Sequence, residues 1–356
     1  MSSNRARPTI DQVATLAGVS VTTVSNALNG RTASMTPATF QRVMEAARTL
    51  GYHPSQVARS LVTRRTATVG LVIAEIGTTL FFGAVSAAER LARQMGYNLL
   101  LCHASNRGEE EQALGLLQEK EVDGVIFIST SDYGDDSHLS RFASAVPLVT
   151  INRAGPEGIF DRVSWDNVGG VASAVRHLFQ LGHRRIGHLR GPSDRQSTDE
   201  RFRGYLSGLE ECNLEYRPEY VAVGDYTAPS HLWEAAAEQL LGLPDRPTAI
   251  ISSDDSVAAV VIRAAAARGL TVPDKLAVVG IDDQPFADFL TPPLTTLRLP
   301  LIEAGQEAMM LLLKRLEGEP AEPRHVVLPT ALVIRRSCGA RPHSGQFDEV
   351  ADASPS

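Results

Sequence analysis

The feature that most restricts the fold is a regular alternation of short β-branched runs and longer helical stretches from residue 67 onward. Such alternation predicts parallel strands joined by crossover helices, because a parallel connection needs a long return. The pattern runs once over 67–152, passes a short strand at 163–165, and runs again over 168–282. We therefore predict an α/β body of two lobes in series, each built on a doubly wound parallel sheet.

The end of the body does not repeat this pattern. A proline-rich stretch at 291–297 is followed by a helical stretch at 301–316 and a long strand-like run at 324–336. These pieces are too few for a third domain, so we predict that they return to complete the first lobe. The polar segment 337–356 has no periodic apolar pattern and is predicted to be a disordered tail.

A different pattern precedes the body, between Thr9 and Asn29, where two short helices are joined by a tight turn. Thr9 and Gln12 have capping-box spacing, Gly18 can bend the chain, and Ser20 can cap the second helix. A third helix is predicted to start after Thr36 and Pro37, which closes an all-α head over residues 1–53. An isolated helical hairpin occurs in many domains, so this pattern alone leaves DNA binding open.

The second helix of this head is amphipathic. Val24, Ala27 and Leu28 form an apolar stripe, whereas Thr22, Ser25 and Asn26 point away, with Val21 on the flank. That short, polar, uncharged face can present hydroxyls, an amide and a methyl group to base edges in a major groove.

Charge is divided unevenly along the chain. Residues 1–65 contain eight arginines, no lysine and only two acidic residues, although the whole chain carries a net charge of −7. A basic head on an acidic body is expected where only the head meets phosphates. The alternative is a basic segment without a nucleic-acid partner. After the head, residues 54–66 are either a plain linker or a hinge, in which Ser55–Leu61 could form two helical turns when paired with a second copy.

Several protein classes lack support. The three cysteines have no metal-site spacing, so we expect no metal, no cofactor and no disulfide framework. The N-terminus has no apolar signal core and no run reaches membrane-spanning length, so we expect a cytoplasmic protein without a membrane partner. GxGxxG after the first strand, P-loop, GxSxG and HExxH motifs are all missing, so we predict no catalytic residues.

Ligands bind such sheets at the carboxyl ends of the strands, so residues that follow strands are the candidates for a binding cleft. After the first strand, Leu80 and Phe81 could offer an apolar wall. Acidic groups, arginine forks and an aromatic face follow the other strands and suit a polyhydroxylated or heterocyclic ligand. These candidates are Asp166, Asn167, Arg195, Ser197, Arg201, Tyr226, Asp254, Asp255, Asp282 and Asp283.

Each candidate also has an ordinary structural interpretation. Asp254 or Asp255 can cap the helix that follows, and one residue of the pair Asp282–Asp283 can serve a turn. Arg201 can be an exposed charge on a helix.

In the order and spacing of its motifs, the chain resembles the lactose/galactose repressor (LacI/GalR) family of bacterial transcription regulators. The resemblance spans about residues 9–336. Its most specific part is TIDQVATLAGVSVTTVSNALNG followed by GYHPSQVARSL. Further matching motifs, in the same order, are FF, VDGVI, DN, LGHRRIGHLRGP, RFRGY, RPTAIISSDD, VVGIDD and TPPLTTL.

The resemblance implies a homodimer with a periplasmic-binding-protein-like core, the lobes being 67–165 with 297–336, and 166–296. It implies a near-palindromic double-stranded DNA operator and a small-molecule effector. A sugar is the expected effector, although the two arginines leave room for a purine-like or anionic one. A solute-binding protein and an enzyme of sugars or nucleotides are the alternatives. The first is opposed by the basic head, the second by the missing catalytic motifs.

Site residues are carried over only by this resemblance. Val21, Thr22 and Asn26 match base-reading positions, and Leu61 matches a hinge leucine that wedges between base pairs in the minor groove. Asp254 stands where Asn is frequent, and Val21 and Thr22 differ from the best-known members, so the operator cannot be copied from them. Positions near phosphates are matched by Thr9, Ser20, Thr23, Ser25 and Asn29. Effector-contacting positions are matched by Leu80, Phe81, Arg195, Ser197, Arg201, Tyr226, Asp254 and Asp282.

Overall fold

The structure is a computed structural model, and it divides into two compact units, a head (Met1–Ala67) and a core (Thr68–Ser356). Within them it describes residues 8–28, 30, 32–33, 35–52, 65–74, 79–129, 136–153, 155, 158–193, 195–226, 231–319 and 322–340. The predicted hinge helix with Leu61, and Asn29, therefore lie outside the described residues. No helix among the described residues is long and apolar enough to cross a bilayer.

Three helices form the head: α1 (Ile10–Ala17), α2 (Val21–Leu28) and α3 (Pro37–Leu50). The predicted caps are confirmed. The Thr9 hydroxyl accepts from the backbone N–H of Gln12, whose side chain accepts in turn from the Thr9 N–H, and Gly18 ends α1 in the left-handed conformation at φ 64°. The helices enclose a small apolar cluster built around Val13, Val24 and Val43.

Leu16, although apolar, lies outside the buried face of α1. It is 54% exposed, whereas Ala17 is buried. Consecutive helical residues are rotated by about 100°, so a face centred on Val13 and Ala17 leaves Leu16 on the flank.

The core contains two sheets, as predicted, and each has six strands. The first has the order β11-β5-β4-β3-β1-β2 and is parallel throughout. With the helices packed on it, it forms the first lobe. Its strands are β1 (Thr68–Ile73), β2 (Asn98–His103), β3 (Gly124–Ile128), β4 (Leu148–Ile151), β5 (Asp161–Trp165) and β11 (His325–Leu328). Its helices are α4 (Phe82–Gln94), α5 (Arg107–Glu119), α6 (Ser137–Ala143) and α11 (Leu301–Leu316).

The second sheet has the order β12-β10-β9-β8-β6-β7 and is parallel except for the pair β10–β12. It defines the second lobe. Its strands are β6 (Ile186–Arg190), β7 (Val221–Val223), β8 (Ala249–Ser252), β9 (Ala277–Asp282), β10 (Thr295–Arg298) and β12 (Ala331–Val333). Its helices are α7 (Asn167–Gln180), α8 (Gln196–Glu211), α9 (His231–Leu241) and α10 (Asp255–Ala267), with 3₁₀ turns at Pro218–Tyr220 and Pro285–Phe289.

The run 324–336 was predicted as one strand of the first lobe, and this is wrong. The chain forms β11 in the first sheet and then β12 in the second, so it crosses between lobes at Pro329 and Thr330. Proline has no N–H to donate to a ladder, which favours a break at this point. The predicted boundary at residue 297 likewise falls inside β10, which belongs to the second sheet.

Close packing occurs both within the first lobe and between the two lobes. Helix α11 lies against α4, where a Cβ on Gly305 would stand 2.1 Å from the carbonyl oxygen of Ala84, so only glycine fits. One hydrophobic cluster runs through both sheets and includes Ile151 of the first lobe and Ile251 of the second. The two lobes thus share apolar packing within one unit.

The start of the predicted disordered tail is also corrected. Ser337 and Cys338 are fully buried. The Ser337 hydroxyl donates to the carbonyl of Val278 at 2.6 Å and accepts from the N–H of Thr295 at 2.8 Å. These bonds tie the residues after β12 to the second sheet, whereas residues 341–356 lie outside the described part.

Candidate functional site

A cavity of about 300 Å³ lies in the core at the carboxyl ends of strands from both sheets. The first lobe contributes Leu80, Asn152 and Trp165. The second lobe contributes all four charged residues of the lining, and Leu299 comes from the chain crossing back to α11. A volume of this size accommodates a small organic molecule rather than a polymer.

Arg201, on α8, is the most firmly held charge in this cavity. It is 8% exposed. Its Nη1 donates to the carbonyl oxygen of Ser253 at 2.6 Å, and its Nε donates to Oδ1 of Asn167 at 3.2 Å. Its Nη2 stands 3.7 Å from Oδ1 of Asp282, which is an ion-pair contact but longer than a hydrogen bond. The guanidinium is therefore fixed in position while one edge stays loosely engaged.

Asp254 combines the two roles considered for it. Its carboxylate caps α10 by accepting from the N–H of Val257 at 2.8 Å, and it also lines the cavity. Burial raises the pKa of Asp254 above its ordinary value. Asp255, the other candidate cap, instead accepts from the hydroxyl of Thr296 and the N–H of Gln284 and does not line the cavity.

An aromatic wall stands beside these charges. The guanidinium of Arg195 lies 4.5 Å from the ring centre of Tyr226, and the ring of Trp233 meets Tyr226 edge-on at 5.1 Å. Burial, followed by the charge of Asp254, raises the pKa of Tyr226 to about 12. The phenol consequently keeps its proton near neutral pH and can donate it in a hydrogen bond.

The structure brings most of the predicted effector residues together. The cavity is lined by Leu80, Arg195, Ser197, Arg201, Tyr226, Asp254 and Asp282. Phe81 is the exception, since it is 1% exposed and belongs to the hydrophobic cluster at the start of α4. In the pair Leu80–Phe81 only the leucine reaches the cavity wall.

Sequence reasoning missed eight further residues of the lining: Asn152, Trp165, Trp233, Ser256, Val257, Val260, Gln284 and Leu299. Asn152 adopts a left-handed conformation at φ 55°, which is uncommon outside glycine. Trp165 is 2% exposed, and its indole N–H has no acceptor among the described residues. Both residues end predicted strands of the first lobe, and the rule that strand ends line the cleft could have found them.

The head presents the predicted polar face. Val21 is 39% exposed, Thr22 is exposed, and Ser25 and Asn26 are half-buried beside the buried Val24. The Ser20 hydroxyl caps α2 by accepting from the N–H of Thr23 at 3.1 Å, and the two hydroxyls lie 2.9 Å apart. Thr9 is exposed at the start of α1.

Two protein families match the two units. Residues 9–55 match bacterial regulatory proteins of the lacI family, and residues 175–338 match a periplasmic binding protein-like domain. Among relatives, the transcriptional regulator CelR of Thermobifida fusca is 37% identical, over 94% of this chain and 99% of that protein.

Solved structures agree with this assignment. A CelR–cellobiose complex is similar with a TM-score of 0.69 and 34% identity, covering 93% of this chain and all of that one. A lac repressor dimer bound to operator and an anti-inducer is similar with a TM-score of 0.83 and 27% identity, covering 94% of this chain and all of that one. The chain therefore belongs to the lacI family of bacterial regulatory proteins, as a DNA-binding transcription regulator that responds to a ligand.

Proposed function

We propose that α2 reads operator bases through Val21, Thr22 and Asn26. The observation that supports this is the exposed polar face beside the buried Val24, since a helix packed on its apolar side offers its other side to a groove. Around this face, residues near phosphates position the head and carry no sequence information. These are Thr9, Ser20, Thr23, Ser25 and Asn29.

Leu61 completes the proposed DNA site as a minor-groove wedge in the hinge 54–66. A wedge selects operators whose centre kinks easily, because deforming a stiff step costs free energy. Two copies of the chain would place two heads and two wedges on a near-palindromic operator. A regulator of bacterial operators acts where the DNA is, so we place it in the cytoplasm, without an enzymatic role.

The proposed ligand of the cavity is a neutral saccharide. Its hydroxyls can donate to the carboxylates of Asp254 and Asp282 and accept from the fixed guanidinium of Arg201. The apolar face of the sugar ring can pack against the rings of Tyr226 and Trp233. CelR in complex with cellobiose is a relative in which the ligand is a disaccharide. The second candidate is an anionic or purine-like ligand, which Arg195 and Arg201 favour. The carboxylates of Asp254 and Asp282 oppose an anion at this site.

Binding between the lobes would couple to DNA through linkage. A ligand that prefers one arrangement of the lobes changes the operator affinity by the same factor by which operator changes ligand affinity. Whether a given saccharide releases or strengthens the DNA complex is then decided by which arrangement it prefers.

Two assays test this proposal. Selection from random DNA should yield a near-palindromic site for the full chain, and Asn26→Ala should change the preferred base at one position in each half-site. An unchanged preference would contradict base reading by α2. A thermal-shift screen should cover cellobiose, other mono- and disaccharides, sugar phosphates and nucleosides. We expect a neutral saccharide to raise the melting temperature of the protein. A shift only with sugar phosphates or nucleosides would replace it by the second candidate.

A further inference from the structure

The turn after β9 holds an unusual backbone. Asp282 and Asp283 adopt φ of 116° and 55°, and Gln284 follows in an extended conformation. Two consecutive non-glycine residues at positive φ cost free energy, so surrounding contacts must hold them there. We call residues 282–284 the junction turn.

Contacts from the second lobe fix this turn. The backbone N–H of Gln284 donates to Oδ2 of the buried Asp255 at 2.7 Å, and the hydroxyl of Thr296 donates to the other oxygen of that carboxylate at 2.5 Å. The carboxylate of Asp283 accepts from Arg298 at 2.7 Å and from Arg335 at 2.8 Å. The turn is consequently tied to both segments that approach it, β10 and the chain after β12.

The three side chains of the junction turn reach three different places. Asp282 faces Arg201 in the cavity, and Asp283 pairs with the arginines just described. Gln284 also lines the cavity, but its Oε1 accepts from the hydroxyl of Thr79 at 2.8 Å. Thr79 precedes α4 and belongs to the first lobe, so this hydrogen bond crosses the cleft between the lobes.

We infer that Gln284 couples the ligand cavity to the first lobe, with the Thr79–Gln284 hydrogen bond as a latch between the lobes. The inference rests on the proposed ligand site, because Gln284 lines that cavity. Its amide offers chemistry for both tasks: Oε1 holds Thr79, and Nε2 can donate to an acceptor oxygen of a bound molecule. A ligand bonded to Nε2 fixes the same rotamer that holds the latch, so ligand binding and apposition of the lobes favour each other.

The geometry explains why this amide can act as a sensor. A surface hydrogen bond between flexible side chains adds little, since both must be ordered to form it. Here the backbone of Gln284 is already fixed through Asp255, so only side-chain rotamers remain to be ordered when the latch forms. The latch is therefore sensitive to whatever else contacts the same amide.

Hydrogen exchange on the full-length, ligand-free chain tests the latch. Thr79→Val keeps the side-chain shape and removes the hydroxyl. The N–H of Ala287 donates to the carbonyl of Gln284, so it reports the order of the turn from the second lobe. We expect exchange in a peptide over 283–289 to be about two- to fivefold faster in Thr79→Val, as loss of a modest hydrogen bond implies. The matched control is Thr271→Val, an exposed threonine elsewhere in the second lobe, which should leave that peptide unchanged.

The reverse substitution makes the test mutual. Gln284→Met should speed exchange around Phe82, whose N–H donates to the carbonyl of Thr79, and the double variant should exchange no faster than either single one. Unchanged exchange across the cleft, or additive effects of the two substitutions, would overturn the latch. These hydrogen-exchange measurements need neither ligand nor DNA, so they are independent of the tests of the proposed function.

A binding measurement tests the coupling. Thr79 does not line the cavity, yet Thr79→Val should bind cellobiose, or the strongest saccharide of the thermal-shift panel, about two- to fivefold more weakly than the parent chain. Equal affinity would remove the coupling while leaving the ligand site in place. Absence of binding to every saccharide would instead count against the proposed ligand, and the exchange result would still decide the latch.

Discussion

The two lobes bury their charges in different ways. In the first lobe, Arg153 donates to both oxygens of Glu110 and of Asp136 and to the hydroxyl of Ser129, and His138 contacts Glu110 at 2.8 Å. The side chains of Arg153 and Glu110 are fully buried. The charged groups of this network therefore pair with one another.

In the second lobe, the buried Arg201 and Asp282 line the ligand cavity. Arg201 meets Asp282 only at 3.7 Å, and Asp254 combines a helix cap with a place in the lining. A closed network stabilises the fold, whereas a loosely paired one keeps bonding capacity for a ligand. We therefore expect changes to the first network to alter stability and changes to the second to alter ligand binding.

The largest expected effect is on the first network. Arg153→Met would leave Glu110 and Asp136 buried without their cation, which costs about 3–5 kcal/mol of unfolding free energy. Chemical denaturation followed by circular dichroism measures this loss. Arg141→Met, at an exposed arginine on α6, is the control and should change little. A fully stable Arg153→Met protein would erase the contrast between the lobes.

The next largest effect concerns His188, a buried group of the second lobe that does not line the cavity, and the pH dependence of stability. His188 is fully buried in β6, stacks on Tyr205, and donates from Nδ1 to the carbonyl oxygen of Ile251 at 3.0 Å. Burial lowers its pKa to about 4 from an ordinary value of 6.5. Between these values the unfolded chain binds more protons than the folded one. His188 therefore opposes folding as the pH falls through this window, by roughly 3 kcal/mol at pH 4.

His188→Phe keeps an aromatic ring in the stack and removes this titration. Its unfolding free energy should fall less steeply than that of the parent between pH 6.5 and 4, measured by denaturation at several pH values. His103→Phe, at an exposed histidine on β2, should retain the parent slope. Parallel curves for all three proteins would show that His188 does not titrate in this range.

The third prediction concerns the cavity itself. Arg201→Met removes the fixed donor and should weaken binding of the saccharide selected by thermal shift by about 2 kcal/mol, roughly thirtyfold, because hydrogen bonds from a charged donor are lost. Titration calorimetry measures it. The matched control is Arg203→Met, two residues along α8 and mostly exposed. Undiminished binding by Arg201→Met would place the ligand elsewhere.

The smallest effect concerns the first lobe's polar contribution to the cavity. Trp165→Phe deletes an indole N–H that has no acceptor among the described residues. We expect about fivefold weaker saccharide binding. The smaller ring also leaves a void at a position that is 2% exposed, so we expect a loss of about 1 kcal/mol of unfolding free energy. Trp165 and Trp233 are the two tryptophans of the chain, and both line the cavity. Ligand titration should change tryptophan fluorescence, and Trp165→Phe and Trp233→Phe separate the contributions of the two rings. Unchanged saccharide binding by Trp165→Phe would make Trp165 a core residue only.

Local rules were enough for the head and for the strand–helix alternation. The capping box at Thr9, the left-handed Gly18 and the cap at Ser20 involve neighbours four or fewer residues away, so their geometry can be predicted from spacing. The rule that ligands bind at strand ends likewise predicts Arg201, Tyr226 and Asp254 as residues of one cleft, and all three line the cavity. In each case the contact, or the rule that implies it, lies close along the chain.

Contacts between segments that are distant in sequence could not be predicted. The division of 324–336 into β11 and β12 depends on which sheet edge is open, β5 or β10, and no local pattern encodes that choice. The burial of Ser337 depends likewise on a ladder more than fifty residues away.

The sequence by itself predicted the α/β core, the polar face of α2 and the set of groups at strand ends, because periodicity, capping and strand ends are local properties, and its motifs carried the family resemblance. Only the tertiary structure decided that Phe81 stays in the core, that Trp165 and Gln284 reach the cavity, and that Gln284 meets Thr79, 205 residues away in sequence. Such contacts are decided by how two sheets and their crossing segments pack together, and packing is a property of the whole folded core.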